Sequence, residues 1–484
     1  MPERPDILLI MTDQHRHDLC GFTGSDLVRT PQLDRLAAGG TVLNEARTPI
    51  PLCMPARSCL MTGRYGSAIG LLDNQLILGP EVETLPGVLA EHGYRRALFG
   101  KNHCFKPEAL LNWDACEVYE MHGKDPVLSR TPPTPADKVV THWRKTAVPY
   151  FEAAVYEPQP GGEAAEPAVR QTDEALAFLR QSDSEPFFMY LSFEAPHFPY
   201  VLPEPYFSRS RPEKMPGSQN AADPSSLHPA RLRAQWYGLA LDKTSEADIR
   251  RVQASYISML ELVDEQIGRV ISALRQSEKL TNTLIVFCSD HGDFFGRRGF
   301  IGKSTVLFES LLRVPLMLHG PGVPTGRCDA PFDLCDLAPT LLELAGLPPL
   351  KMAQGRSLAP LLRGEQAQRR RYLVAEHAFG RTEGFSETEV DALIARRELF
   401  RRAGDPFWFL DALRGSTRSV HDTETGWKLI THDQDEPELY HLGRDPLELH
   451  NRFSEQPLEA QRLAAVLEHI NLADPDVFER LAAL

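Results

Sequence analysis

The run Cys53-Met54-Pro55-Ala56-Arg57, with Thr62-Gly63-Arg64 five residues beyond it, combines a nucleophile with an anion holder. A cysteine at the mouth of a short helix faces the free N–H groups of the first turn, which attract anions. Proline is tolerated in that turn because its missing N–H costs nothing there. Arg57 offers a two-pronged fork to sulfate or phosphate oxygens. Average residue usage gives Cys-x-Pro-x-Arg a chance on the order of 10⁻⁴ per position, so the run stands out from background. Two further pairs, Asp13-Gln14 and Asp290-His291, supply two carboxylates, an amide oxygen and an imidazole. Such a mostly oxygen-donor set suits Ca²⁺ or Mn²⁺ better than a soft, thiolate-loving metal. Lys101 and Lys303 join Arg57 as cations able to build a local positive pocket in a chain of net charge −14.

These groups need a scaffold that gathers them. Strand-like runs alternate with helical ones, the pattern of an α/β domain on a largely parallel sheet. Strands are expected over 6–12, 96–100, 186–193, 284–289 and 314–318, and helices over 31–36, 84–93, 167–180, 252–274 and 336–345. Asp13-Gln14, Lys101 with His103, His197, and Asp290-His291 each follow the carboxyl end of one of these strands, where parallel sheets gather catalytic groups. Past Gly364 the pattern becomes short antiparallel strands (372–376, 417–420, 428–431, 439–441) and a helix over 458–467. This divides the chain into a catalytic domain, 1–368, and a C-terminal subdomain, 369–484. The Pro-, Gly- and Ser-rich stretches 131–135, 157–166 and 202–229 read as loops, the last as either a substrate-facing lid or a plain surface loop.

Composition sets outer bounds. The chain has 484 residues, 42% apolar and 24% charged, which fits a globular protein too long for one ordinary domain. Its acidic balance, with no basic stripe, argues against a nucleic-acid partner. The apolar run near the N-terminus is too short for a signal-peptide core or a membrane span. Eight scattered cysteines show no disulfide or metal spacing and most read as small buried hydrophobes, so cytoplasmic residence is expected.

The Cys53–Arg64 stretch resembles the signature of the sulfatase family, in which the cysteine is converted to formylglycine by a maturation enzyme. The resemblance runs from Asp6 to about Asn451. It includes Glu438-Leu439-Tyr440 and Asp445-Pro446-Leu447-Glu448, which are similar to the family's C-terminal subdomain. It implies an alkaline-phosphatase-like α/β sandwich: a large, mostly parallel sheet flanked by helices, plus a small antiparallel subdomain with a helix. It places Asp13, Gln14, Asp290, His291 and the modified Cys53 on one divalent cation, usually calcium. Many members carry Asn where His291 stands, and a nitrogen ligand keeps Mn²⁺ open.

The resemblance also implies roles. The hydrated aldehyde, near Arg57, attacks sulfur, and its second hydroxyl then allows sulfate to be expelled. Lys101 and Lys303 meet the nonbridging oxygens, His103 lies beside the nucleophile, and His197 protonates the leaving oxygen. Asn74 is carried over as a residue near the sulfate. The implied activity is arylsulfatase-like hydrolysis of a small sulfate ester. The alternative is a phosphonate or phosphodiester monoester hydrolase of the same superfamily. The Lys101-x-His103 pair favours the first, because the phosphonate branch typically has Tyr and Thr there. A non-catalytic binding protein would have lost one of the nucleophile, arginine or metal carboxylates, and none is lost. The aromatic run Phe407-Trp408-Phe409 is suited to wall an aromatic or choline-like group, or to pack within the subdomain or against a second copy of the chain.

Overall fold

The computed structural model describes residues 4–477 except 75–76, 121–122, 148–154, 182–184, 222, 224–226, 228–229, 240, 305, 366–368, 380–414, 434–435, 473 and 475–476. In chain order the main-sheet strands begin with β1 (Asp6–Thr12) and β2 (Thr41–Leu43); β3 (Ala46–Arg47) lies apart from them. Then come β4 (Arg95–Gly100), β5 (Ala115–Glu120), β6 (Gly123–Lys124), β7 (Phe187–Phe193), β8 (Thr283–Ser289), β9 (Leu316–His319) and β10 (Gly326–Cys328). They form a nine-stranded sheet in the order β10-β2-β9-β8-β1-β7-β4-β5-β6, and β3 pairs with β11 (Phe332–Asp333). The centre, from β8 through β1, β7 and β4 to β5, is parallel.

Every residue of β1, β7 and β8 is buried, as expected of strands covered on both faces. Alternation along β1 sends its side chains to two cores. Leu8 and Ile10 join one with the helix Glu246–Gln276, while Ile7, Leu9 and Met11 join another with the helices Leu85–Glu91 and Leu337–Leu344. The long helix starts earlier than its apolar spacing suggests. Ser245 caps it, its hydroxyl accepting from Asp248 N–H while the Asp248 carboxylate reaches back.

Several elements differ from the expected pattern. The strand anticipated at 314–318 opens at Leu316, because Pro315 has no N–H for the ladder, and it runs antiparallel to both β8 and β2. β5 and the helix Pro135–Ala147 were not anticipated; in β5 the two glutamates, Glu117 and Glu120, break up the apolar residues. The stretch 202–229 is not bare loop: Tyr206–Arg209 is a helical turn, and Gly217 N–H binds Gln253 of the long helix at 2.8 Å.

The C-terminal sheet is antiparallel, in the order β12 (Tyr372–Phe379), β13 (Gly415–Asp422), β14 (Trp427–His432) and β15 (Glu438–His441), with the helix Pro457–His469 beside it. Its apolar face shares a core with Leu52 and Cys59, which flank and lie within the helix Cys53–Thr62. Among the described residues no helix is long and apolar enough to cross a membrane. Seven of the eight cysteines are buried and all are free thiols.

Candidate active site

Strand register assembles the site. Thr12 of β1 pairs with Ser289 of β8 and Phe193 of β7, and Gly100 of β4 pairs with Ser192 of β7. The residues that follow, Asp13, Asp290, Glu194 and Lys101, therefore leave the sheet along one edge. The helix Cys53–Thr62 starts at that edge with Cys53 as its first residue, 1% exposed. Gly63 ends the helix at φ +65°, a left-handed turn that glycine makes without a Cβ penalty.

Cys53 Sγ lies 2.6 Å from Lys303 Nζ, 3.4 Å from His291 Nε2 and 3.6 Å from Asp13 Oδ1. One helical turn on, Arg57 is fully buried. It donates from Nε to Asp290 Oδ2 at 2.9 Å and from one terminal nitrogen to Asp13 Oδ2 at 3.0 Å. Its other terminal nitrogen donates to Tyr190 Oη at 2.7 Å and Ser192 Oγ at 2.6 Å. The fork thus fixes the two carboxylates and ties the helix to β7. Lys101 Nζ sits 2.9 Å from Asp13 Oδ2 and 3.5 Å from Glu194 Oε1. His103 Nε2 is 2.9 Å from Glu120 Oε2 and also interacts with Cys53. Asn74 lies at the mouth of the helix, where its Oδ1 accepts from Met54 N–H at 3.1 Å and satisfies one of the free first-turn donors.

The charges are set by neighbours as much as by burial. Burial would raise the Asp13 carboxyl, but Lys101, His197, Lys303 and Arg57 hold it well below the usual range, so it stays an anion. Burial likewise disfavours the Lys101 ammonium, yet Asp13, Cys53 and Glu194 together outweigh it and the lysine stays charged. Burial and Lys101 would lower His103, but Glu120 and a hydrogen bond with Cys53 together outweigh them and raise it. His197 is pushed well down by burial and by Lys101 and Lys303, and is neutral at pH 7. Burial drives Glu194 up to about 7 despite Lys101.

Two hydrogen bonds assign the imidazole tautomers. His291 Nδ1 faces Gly292 O at 2.9 Å and His197 Nδ1 faces Phe198 O at 2.6 Å. A carbonyl can only accept, so Nδ1 carries the proton in both rings and each Nε2 presents a lone pair. Lys303 Nζ meets both lone pairs, at 3.2 Å for His291 and 3.3 Å for His197.

A divalent cation fits these donors. One ligand atom each from Asp13, Cys53, Asp290 and His291 lies within 4.8 Å of the others. Gln14, next to Asp13 in the chain, offers a further oxygen. Its Nε2 binds Asp293 Oδ2 at 2.6 Å and Tyr200 Oη at 3.5 Å, which fixes the amide orientation and leaves Oε1 buried with no partner among the described residues. A buried orphan oxygen costs free energy unless something positive meets it. Direct contacts link Asp13, Cys53, Arg57, Lys101, His103, His197, Asp290, His291 and Lys303, while Asn74 lies at the start of the Cys53 helix and Gln14 follows Asp13. The aromatic run 407–409 lies outside the described residues.

Sequence reasoning missed Tyr190, Ser192, Glu120, Glu194 and Asp293. Glu194 had a signal, being the first charge after β7. Tyr190 and Ser192 sat inside an apolar run with no mark of function.

A family model described as Sulfatase matches residues 5–347. Among curated relatives, an arylsulfatase of Clostridium perfringens is 28% identical over 398 residues, covering 78% of this chain and 82% of that protein. A choline-sulfatase of Rhizobium meliloti is 29% identical over 475 residues, covering 94% and 83%. Among solved structures, a phosphonate monoester hydrolase of Agrobacterium radiobacter superposes with TM-score 0.74 at 24% identity, covering 97% of this chain and 95% of that one, which is a likeness of fold.

Proposed function

The chain belongs to the sulfatase family and is a sulfuric ester hydrolase, and from that premise we propose that it acts through a formylglycine made from Cys53 with one divalent cation. The observation that carries this reading is the placement of Cys53 Sγ within 3.6 Å of Asp13, His291 and Lys303 at the edge of a parallel sheet. The modified residue supplies a hydrated-aldehyde nucleophile, and the cation supplies Lewis-acid charge. Asp13, Gln14, Asp290 and His291 hold the cation, Ca²⁺ first by the weight of oxygen donors, with Mn²⁺ the alternative because of His291.

Arg57 positions the two carboxylates. Lys101 and Lys303 supply positive charge for the nonbridging sulfate oxygens, and Asn74 and the first turn of the Cys53 helix lie beside them. His103, oriented by Glu120, takes a proton next to residue 53. The proton for the leaving oxygen comes from the His197–Lys303 pair rather than from His197 alone, since neutral His197 turns a lone pair toward Lys303.

Mass spectrometry of the tryptic peptide Thr48–Arg57 tests the modification: formylglycine is expected at residue 53, and intact cysteine in fully active protein overturns it. Chelation with EDTA should abolish turnover, and the ion that restores it best identifies the cation. A second reading, phosphonate or phosphodiester monoester hydrolysis, draws on the fold likeness to a phosphonate monoester hydrolase. Matched aryl esters separate the two. Faster release of sulfate is expected, and faster turnover of the phosphonate or phosphodiester puts the second reading first.

A further inference from the structure

A second concentration of positive charge lies away from the nucleophile. His291 and Lys303 are the two feet of a hairpin-like loop, held by Phe294 N–H to Gly302 O at 2.9 Å and Gly296 N–H to Phe300 O at 2.7 Å, with Arg297 and Arg298 at its tip. There Arg297 approaches Arg16 and Arg313, and all three guanidinium groups act on His17. Too few carboxylates face them. Asp18 is shared, taking Arg16 at 2.5 Å and Arg297 at 3.0 Å. Glu45 is shared too, between Arg313 at 3.3 Å and Arg47 at 3.0 Å.

Arg298 has no carboxylate partner among the described residues; it stacks over Phe308 and donates to the Glu448 carbonyl. The Glu448 carboxylate is occupied elsewhere, by Lys428 and by Glu309 N–H. Arg297 Nε, Arg313 Nε and His17 Nδ1 are buried with no partner among the described residues. Yet the arginine side chains keep 19% and 27% exposure, so solvent reaches the cluster. A small cleft beside it is lined by Arg297, Arg298, Asn220, Ser310 and Glu448.

We propose that this cluster is an oxyanion-binding site, separate from the catalytic centre, that takes a sulfate, phosphate or carboxylate group between Arg297 and Arg313. Guanidinium forks match such groups, and unpartnered buried N–H donors gain most from them. The uncompensated field is felt within the cluster. Burial, and then Arg16, bring Arg297 down to about 10, far below an ordinary arginine. The oxyanion comes either from free inorganic sulfate or from a second anionic group on an ester bound at the catalytic centre. The binding claim stands apart from the assignment of the reaction, because it is read by binding and not by turnover.

The test is equilibrium dialysis of the full chain against radiolabelled inorganic sulfate at low ionic strength, where exposed charges are least screened. Arg297→Gln and Arg313→Gln are each expected to bind one sulfate fewer per chain than wild type, with turnover of a monosulfated aryl ester unchanged. Unaltered stoichiometry and affinity in both overturn the proposal. Because either variant could unfold, a second measurement uses wild type alone. Sulfate should protect Arg297 and Arg313 from phenylglyoxal, mapped by mass spectrometry, and absence of protection equally overturns it. KM then distinguishes the sources. A rise of about tenfold in Arg297→Gln for a disulfated ester only, the size expected for losing one charge-assisted contact, points to the substrate's second group. An unchanged KM alongside lost sulfate binding points to free sulfate.

Discussion

Lys428 Nζ, on β14, is ringed by oxygens: Leu307 O at 2.6 Å and Glu309 Oε1 and Glu448 Oε1 at 2.8 Å each. Lys303 Nζ, four residues before Leu307, meets a sulfur and two imidazole nitrogens instead. Around Lys428 the cluster closes on itself, since Arg47 takes the other Glu309 oxygen at 2.8 Å and Glu309 N–H takes the other Glu448 oxygen at 2.6 Å. Around Lys303 there are imidazole lone pairs and a thiol, and elsewhere in the same site Gln14 Oε1 has no partner among the described residues. Both are dense charge clusters in low-polarity surroundings. The first uses its charges to join two parts of the chain; the second keeps bonding capacity in reserve for something not encoded in the protein. Unsatisfied valence, more than charge itself, separates a working centre from a structural one.

Four experiments would sharpen or dissolve that contrast. Cys53→Ala should lower turnover by about 10³-fold or more while leaving the melting temperature nearly unchanged; retained turnover with lost stability would reverse the assignment. Lys428→Met leaves buried carboxylates without their cation and should cost about 3–5 kcal/mol in urea unfolding. The turnover of its folded fraction should be largely kept, and a stable variant would show that the cluster joins nothing. Lys303→Met should do the opposite, with turnover down about 10²–10³-fold and stability preserved or raised, measured by the same melts.

The smallest effect is acid sensitivity. Burial, Arg47 and Lys428 bring His421, beside the closed cluster, down to about 3, and burial brings His15 to about 4. Their folded pKa values lie below the ordinary 6.5, so the unfolded chain takes up these protons first. Their contribution is complete above pH 6.5 and fades as pH falls toward 4. Melts between pH 7 and 5 should show the decline, and His421→Asn should flatten part of it.

Much of this arrangement was legible because it is local. β1, β7 and β8 were marked by apolar runs and β4 by a shorter one behind two arginines, and Asp13, His197, Asp290 and Lys101 after them marked the working edge. The run from Cys53 to Arg57 announced a helix start carrying the nucleophile, although the fork read there as an anion holder is spent on protein groups. What escaped is non-local. Nothing near Arg57 says that its fork ends on Tyr190, Ser192, Asp13 and Asp290 rather than on a ligand. Glu120 became meaningful only once β5 had joined the sheet and placed it against His103. The closed cluster was equally invisible, because Arg47, Glu309, Lys428 and Glu448 come from four separate segments.

The shared core beneath Leu52 and Cys59 has a practical meaning for anyone wishing to dissect or recombine this enzyme. The helix bearing the nucleophile rests on Val374, Val420 and Leu429 of the C-terminal sheet. A graft of that sheet from a relative, even one touching no catalytic side chain, shifts the foundation of residue 53. Shuffled hybrids should therefore be cut elsewhere, with this floor and the helix inherited from the same parent.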